Sequence, residues 1–215
     1  MKVDHVDHFF EQLTACPLVA IVRGIHPGEA EEVVAALVDV GIRIIEVPLN
    51  SPEPFNSIER LATRFGGNVT IGAGTVLDPA DVSRVQDAGG RLIVSPDTNP
   101  EVIAATASAG LVSAPGFFTP TEAFQALRAG AHVLKMFPAE AASPAFLKAQ
   151  RAVLPADLPI LMVGGVTPAG VADYLAAGAN GFGLGSGLFS PGRTVAEVTA
   201  RGRAYVEALT QCKVR

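Results

Sequence analysis

The chain has 215 residues, a formal charge of −5, 49% apolar residues and 17% charged ones, against roughly 25% charged in an ordinary soluble domain. A chain this apolar can bury enough surface to offset its ordering entropy, so disorder is excluded, and two cysteines near opposite ends, Cys16 and Cys212, exclude a disulfide scaffold. No Lys/Arg stripe suits nucleic acid, and Gly, Pro or a charge interrupts every apolar stretch before the ~18 residues of a spanning helix, so neither nucleic acid nor membrane is an expected partner.

From the start, Met1 to Glu11 carries Lys2, Asp4, His5, Asp7 and His8 in place of an apolar signal core, which predicts a cytoplasmic protein. A short helix, Val6–Leu13, is expected within an N-terminal extension over 1–16. Beyond it, glycines set a repeat. Gly41, Gly66, Gly89, Gly110, Gly130 and Gly178 stand 25, 23, 21, 20 and 48 residues apart, the last interval being two units with one glycine missing. Each follows a helix-like stretch, where a left-handed turn favours Gly, and precedes a short run rich in Val, Ile and Leu.

Those runs predict eight strands: Leu18–Arg23, Ile44–Leu49, Val69–Thr75, Leu92–Pro96, Leu111–Pro115, His132–Pro138, Ile160–Gly164 and Gly181–Ser186. Amphipathic stretches between them include Glu29–Val40, Pro79–Ala88, Glu101–Ala109, Thr121–Ala129, Pro144–Val153 and Pro168–Ala177, several opening with Pro at or near the first helical position. Strict β-α alternation argues a closed (β/α)₈ TIM barrel over the whole of 1–215, one domain, with the N-terminal helix closing its bottom.

In such a barrel the site lies at the C-terminal strand ends. Lys135 is the sharpest signal there. It is one of four lysines and sits in Val133-Leu134-Lys135-Met136-Phe137, where burial without a partner would depress its pKa and free the amine for imine chemistry. A structural ion pair is the other reading. Glu46, in Ile44-Ile45-Glu46-Val47-Pro48, shares an inward face with Ile44 and suits either acid–base work or a counter-ion role for Lys135 or Arg23. Arg23 closes the first strand as a carboxylate fork or as a surface arginine at a loop entry. Gly164-Gly165 and Gly185-Ser186-Gly187 end the last two strands, where backbone N–H groups and a following helix N-terminus can hold a phosphate. His5, His8, His26 and His132 lack metal-ligand spacing, and no Ser–His–Asp set can be placed.

Arg23-Gly24, Glu46-Val47-Pro48-Leu49-Asn50-Ser51-Pro52, Gly72-Ala73-Gly74-Thr75-Val76-Leu77, Pro115-Gly116, Lys135-Met136-Phe137-Pro138 and Gly164-Gly165-Val166 together resemble the class I 2-keto-3-deoxy-6-phosphogluconate and -galactonate aldolases, over about Pro17 to Arg193. The resemblance implies a metal- and cofactor-free homotrimer acting on a phosphorylated keto acid and releasing pyruvate. It implies Lys135 as the imine-forming nucleophile, Glu46 as the general acid/base, Arg23 and Thr75 on the keto-acid carboxylate, and Gly164, Gly165, Gly185 and Ser186 on the phosphate.

Within the family, Pro48-Leu49-Asn50-Ser51-Pro52 takes the galactonate form, and Val163 stands where the gluconate branch commonly has Thr. Phe137-Pro138-Ala139-Glu140 resembles the gluconate branch instead. Phe117-Phe118 departs from both, and its two rings are expected to narrow the pocket mouth. The galactonate substrate is favoured, with Val163, Asn50, Phe117 and Phe118 as specificity residues and the gluconate epimer as the alternative. A sugar-phosphate isomerase or epimerase and a non-catalytic phosphate-binding barrel are the more distant readings.

Overall fold

The computed structural model describes residues 5–213, so residues 1–4 of the N-terminal extension lie outside the described residues. Every strand joins one parallel sheet: β1 (Leu18–Ile21), β2 (Ile44–Pro48), β3 (Thr70–Gly74), β4 (Leu92–Val94), β5 (Val112–Ala114), β6 (Gly116–Phe117), β7 (Leu134–Met136), β8 (Ile160–Val163) and β9 (Gly181–Leu184), in the order β5-β4-β3-β2-β1-β9-β8-β7-β6. The two ends of that ladder are consecutive in the chain. Pro115, which has no N–H to give, separates β5 from β6. The Pro115 carbonyl accepts from Lys135 N–H at 2.9 Å and the Ser113 carbonyl from Val133 N–H at 3.2 Å, so both halves pair with the β7 segment. The ladder therefore closes, and β5 and β6 are one barrel strand of eight.

Helices follow the strands: α1 (His5–Ala15), α2 (Pro27–Asp39), α3 (Pro54–Phe65), α4 (Pro79–Asp87), α5 (Pro100–Ser108), α6 (Pro120–Ala129), α7 (Pro144–Arg151), α8 (Val171–Ala176) and α9 (Val195–Lys213). In α4 to α7 a proline opens the helix behind Asp78, Asn99, Thr119 or Ser143, whose side chain accepts a free N–H of the first turn. Each such cap contributes about 1 kcal/mol.

Two apolar layers follow from strand alternation. Ile45 and Val47 face the helices, while Ile44 faces the barrel interior with Val19, Leu92, Val94, Val112, Leu161 and Val163. α1 completes that interior from below with Phe9, fully buried, and Leu13. Its span, His5–Ala15, extends the predicted Val6–Leu13 by one residue at the start and two at the end. α3 and α9 stand outside the predicted set. Gly202, inside α9, has Val40 Cγ2 only 3.0 Å from where a Cβ would sit, so the helix packs close against the end of α2.

Two expectations need correction. Gly41, Gly89, Gly110, Gly130 and Gly178 are left-handed as predicted, but Gly66 has φ −60°, within the right-handed turn that ends α3. Most strands also stop before their predicted ends. Thr75 turns to φ 55° and Gly164 to φ 100°, taking the chain out of the ladder to build the barrel mouth.

Candidate active site

Two buried side chains among the described residues carry a formal charge, Glu46 and Lys135. Both come from the inward face of their strands. On β7, Lys135 pairs with Gly116 on one side and Leu161 on the other, and on β2 Glu46 pairs with Gly72 of β3. Both glycines answer a close backbone approach: a Cβ on Gly72 would lie 2.2 Å from the Leu92 carbonyl oxygen, and one on Gly116 2.2 Å from that of Pro96.

Lys135 is 5% exposed and Glu46 1%. Among the described residues no carboxylate lies within 4.0 Å of the Lys135 ammonium; its near neighbour is the Phe137 ring, with Nζ 4.9 Å from the centroid. Burial pushes the Lys135 pKa below the ordinary lysine value; the Glu46 carboxylate opposes that shift and the Arg23 charge adds to it. For Glu46 burial dominates in the other direction and raises its pKa to about 7, against the pull of Lys135 and Arg23. Glu46 Oε2 has no hydrogen-bond partner. A Cβ on Gly74 would lie 1.7 Å from that oxygen, so the glycine of β3 is what makes room for the carboxylate.

Above this pair, a cavity of about 820 Å³ opens at the C-terminal ends of the strands. Buried Lys135 and Val163 line its inner part, exposed Arg23 its rim, and Gly164, Gly165, Gly185 and Ser186 the wall at the ends of β8 and β9. Glu46 lies one level deeper. It lines a void of about 10 Å³ beneath, shared with Lys135 and walled by Phe9, Val94, Leu161 and other apolar side chains.

Arg23, beyond the end of β1, is exposed. Its Nη1 donates to Asn50 Oδ1 at 2.5 Å and to Thr75 Oγ1 at 3.2 Å, while Nε and Nη2 have no acceptor among the described residues. Three residues far apart in sequence thus converge beside the cavity, with N–H groups left to hold a carboxylate. Thr75 sits there at φ 55°, a left-handed conformation that costs a β-branched residue about 1–3 kcal/mol.

At the wall beyond β8 and β9, Gly164 and Gly165 have φ 100° and 69°. Among the described residues, the N–H groups of Gly164, Gly165, Ser186 and Gly187 donate to no acceptor of the protein. Successive free N–H groups in such a turn form an anion-binding concavity. The helix after Gly164-Gly165 is a 3-10 turn, Pro168–Gly170, leading into the six residues of α8. The expected dipole contribution from that helix is therefore small, and the loop N–H groups carry the electrostatics.

Phe117 and Phe118 do not narrow the mouth. Gly116 takes the inward position opposite Lys135, so Phe117 points outward and is 3% exposed in the layer beneath the helices. Phe118 stacks on Phe146 of α7, ring centroids 4.9 Å apart. Residues that the strand-end reading passed over do reach the cavity: Phe137 beside Lys135, and Arg201 and Tyr205 from α9. Nothing in the local sequence marked the last two, because α9 was outside the predicted helices.

A family model described as KDPG and KHG aldolase matches residues 10–201. The probable 2-dehydro-3-deoxy-6-phosphogalactonate aldolase of Rhizobium meliloti (strain 1021) is 52% identical over 192 residues, covering 89% of this chain and 91% of the relative. The 2-dehydro-3-deoxy-6-phosphogalactonate aldolase of Escherichia coli (strain K12) is 45% identical over 195 residues, covering 91% and 95%. A solved structure described as native KDPGal superposes with a TM-score of 0.92 at 43% identity, covering 94% of this chain and 98% of that one. The chain belongs to the KDPG and KHG aldolase family.

Proposed function

We propose that this protein cleaves 2-dehydro-3-deoxy-6-phosphogalactonate to pyruvate and D-glyceraldehyde 3-phosphate through an imine on Lys135. The observation that carries the reading is a buried lysine without a carboxylate at ion-pair distance, at the floor of a cavity large enough for a six-carbon phosphorylated acid. Such a lysine has the depressed pKa that a nucleophilic amine requires.

Lys135 Nζ attacks the C2 ketone, and loss of water gives a cationic imine. Glu46, through a water, accepts the proton of the C4 hydroxyl. The electrons of the C3–C4 bond move into the imine to form an enamine, and C4 leaves as the aldehyde of glyceraldehyde 3-phosphate. The enamine takes a proton at C3, and hydrolysis releases pyruvate and restores the free amine. A carboxyl with a pKa of about 7 can both take up and return a proton near neutrality. Arg23 and Thr75 hold the C1 carboxylate, and the free N–H groups of Gly164, Gly165 and Ser186, with Gly185 beside them, hold the phosphate.

Val163 supports the galactonate epimer. It is 5% exposed, lines the cavity and cannot hydrogen-bond a substrate hydroxyl, whereas Asn50 is committed to Arg23. Both named relatives above carry the galactonate description. We also assign the chain a single barrel domain, a cytoplasmic site of action and a homotrimeric assembly, which light scattering of the purified protein tests.

Borohydride reduction in the presence of pyruvate, followed by mass spectrometry, tests the chemistry. A reduced adduct on Lys135 is expected. An active enzyme without that adduct refutes the imine and favours acid–base isomerase chemistry, and an inactive protein without it favours a phosphate-binding barrel. Equal or better turnover of the gluconate epimer overturns the substrate preference.

A further inference from the structure

The loop after β9 is held from the C-terminal side in a way that the phosphate reading leaves unexplained. All three of its carbonyls are engaged. The Gly185 carbonyl accepts from Leu188 N–H at 2.8 Å and Phe189 N–H at 3.0 Å. The Ser186 carbonyl accepts from Arg193 Nη1 at 2.6 Å, and the Gly187 carbonyl from Arg201 Nη1 at 3.1 Å. The N–H groups of Ser186 and Gly187, by contrast, have no acceptor among the described residues. The Ser186 carbonyl shares its peptide group with the free Gly187 N–H, so Arg193 both fixes the direction of that N–H and polarises it, while Arg201, on the next carbonyl, fixes the far end of the loop.

Charge makes the same point. Of the residues lining the cavity, Arg23, Lys135 and Arg201 are the cations; Arg23 stands with Asn50 and Thr75, and Lys135 at the buried floor. Arg201 is the cation on the wall that carries Gly185 and Ser186. Glu197, one turn before it, engages Thr194 through its carboxylate, and no acid lies within 4.0 Å of Arg193 or Arg201 among the described residues. Glu140 faces Gly165 across the cavity wall and is the opposing charge there.

We propose that Arg193 and Arg201 are positioning residues for the phosphate: each pins one carbonyl of the Gly185–Gly187 loop so that its N–H groups meet the phosphate, and Arg201 adds the countercharge. The proposal rests on the phosphorylated-substrate reading above. It extends the site to a helix that touches neither the imine nor the carboxylate end.

The test compares KM and kcat for the phosphorylated substrate and for its unphosphorylated analogue in wild type, Arg193→Ala, Arg201→Ala, Arg201→Lys and Arg201→Gln. Each alanine variant should raise KM for the phosphorylated substrate on the order of tenfold, the loss of one hydrogen bond to a charged group, with kcat nearly constant. KM for the analogue should move by less than about twofold, since that substrate never used the loop. Arg201→Lys should recover part of the loss through its charge, and Arg201→Gln less. An equal rise for both substrates, or none for either, overturns the proposal. Inorganic phosphate titrated by calorimetry separates the two ideas. Weakened phosphate binding in Arg201→Ala, alongside a wild type that forms no pyruvate adduct, would sink the aldolase and keep the clamp. Unchanged phosphate affinity in both alanine variants sinks the clamp whatever the chemistry.

Discussion

Replacing Gly74 by alanine adds one methyl group where Glu46 keeps its carboxylate. The new Cβ would lie 1.7 Å from Oε2, 2.3 Å from Cδ and 2.5 Å from Oε1, and ordinary contact begins at 3.4 Å. The oxygen must therefore retreat by about 1.7 Å, the difference between 3.4 and 1.7 Å. The Gly74 backbone lies in β3 without a positive φ, so alanine is compatible with the chain and the strain falls on the side chain it meets. Glu46 is 1% exposed and packed beneath the cavity, so it can only turn within its own layer. Overpacking of this kind costs about 1–3 kcal/mol of stability, a fall in Tm of several degrees for a chain of this length. A displacement of about 1 Å in a proton-transfer group costs on the order of 100-fold in rate. Cleavage can be followed by coupling glyceraldehyde 3-phosphate to NADH oxidation, and imine formation by borohydride trapping with pyruvate. We expect kcat to fall about 100-fold while Lys135 is still trapped. A folded Gly74→Ala protein with wild-type kcat would refute the placement of Glu46 as the acid/base group.

Other substitutions test the same layers. Glu46 is an acid whose folded pKa, about 7, lies above its unfolded value of 4.5. Stability present below pH 4.5 is therefore lost as pH rises through about 7, because the unfolded chain releases the proton first. Glu46→Gln should gain on wild type across that window by on the order of 3 kcal/mol in urea unfolding, while cleavage falls much more than imine trapping and the acid limb near pH 7 disappears. A stability difference independent of pH would contradict the buried carboxyl. Thr75→Gly should raise stability by about 1 kcal/mol through relief of the left-handed strain, yet raise KM for the keto acid; a variant that loses both is evidence against the strain. Phe9→Ala should cost about 3–5 kcal/mol and admit water below Glu46, moving the acid limb of the pH–rate profile down. The milder Phe9→Leu should move it less, and an unmoved limb in a folded variant removes α1 from the site's floor.

The barrel was legible because buried parallel strands leave an apolar run, and a left-handed helix end leaves a glycine, at short regular spacing. Gly66 shows where that logic fails: its glycine answers a steric demand, the Ala62 carbonyl 2.4 Å from a Cβ, and not a left-handed turn. Lys135 and Glu46 stood out because charge is rare inside apolar runs. Their depths did not, since alternation gives the face of a strand but not the level at which a side chain ends. Phe117 was misplaced because Pro115 breaks the strand and shifts which residue faces Lys135. Asn50 and Thr75 meet Arg23 because β1, β2 and β3 lie side by side in the sheet, across 27 and 52 residues of sequence. α9 carries Gly202 and threonines that weaken a helical reading, so its arginines had no place in a strand-end account.

The vertical order of the site explains how two ionisable groups in one dry interior acquire opposite tendencies. Desolvation penalises charge on either, so it lowers the lysine and raises the glutamate, and their mutual attraction offsets only part of each shift. Were they in direct contact, the ion pair would fix Lys135 as an ammonium and remove the nucleophile. Held farther apart than an ion pair, with the lysine facing the cavity and the glutamate the void below, the amine can be free while the carboxyl stays poised near pH 7. The place of Glu46 in that arrangement depends on Gly74 of β3, which leaves room for its carboxylate, and on the Phe9 plug beneath. The chemistry is thus set as much by one strand glycine and an apolar helix as by the two charged side chains.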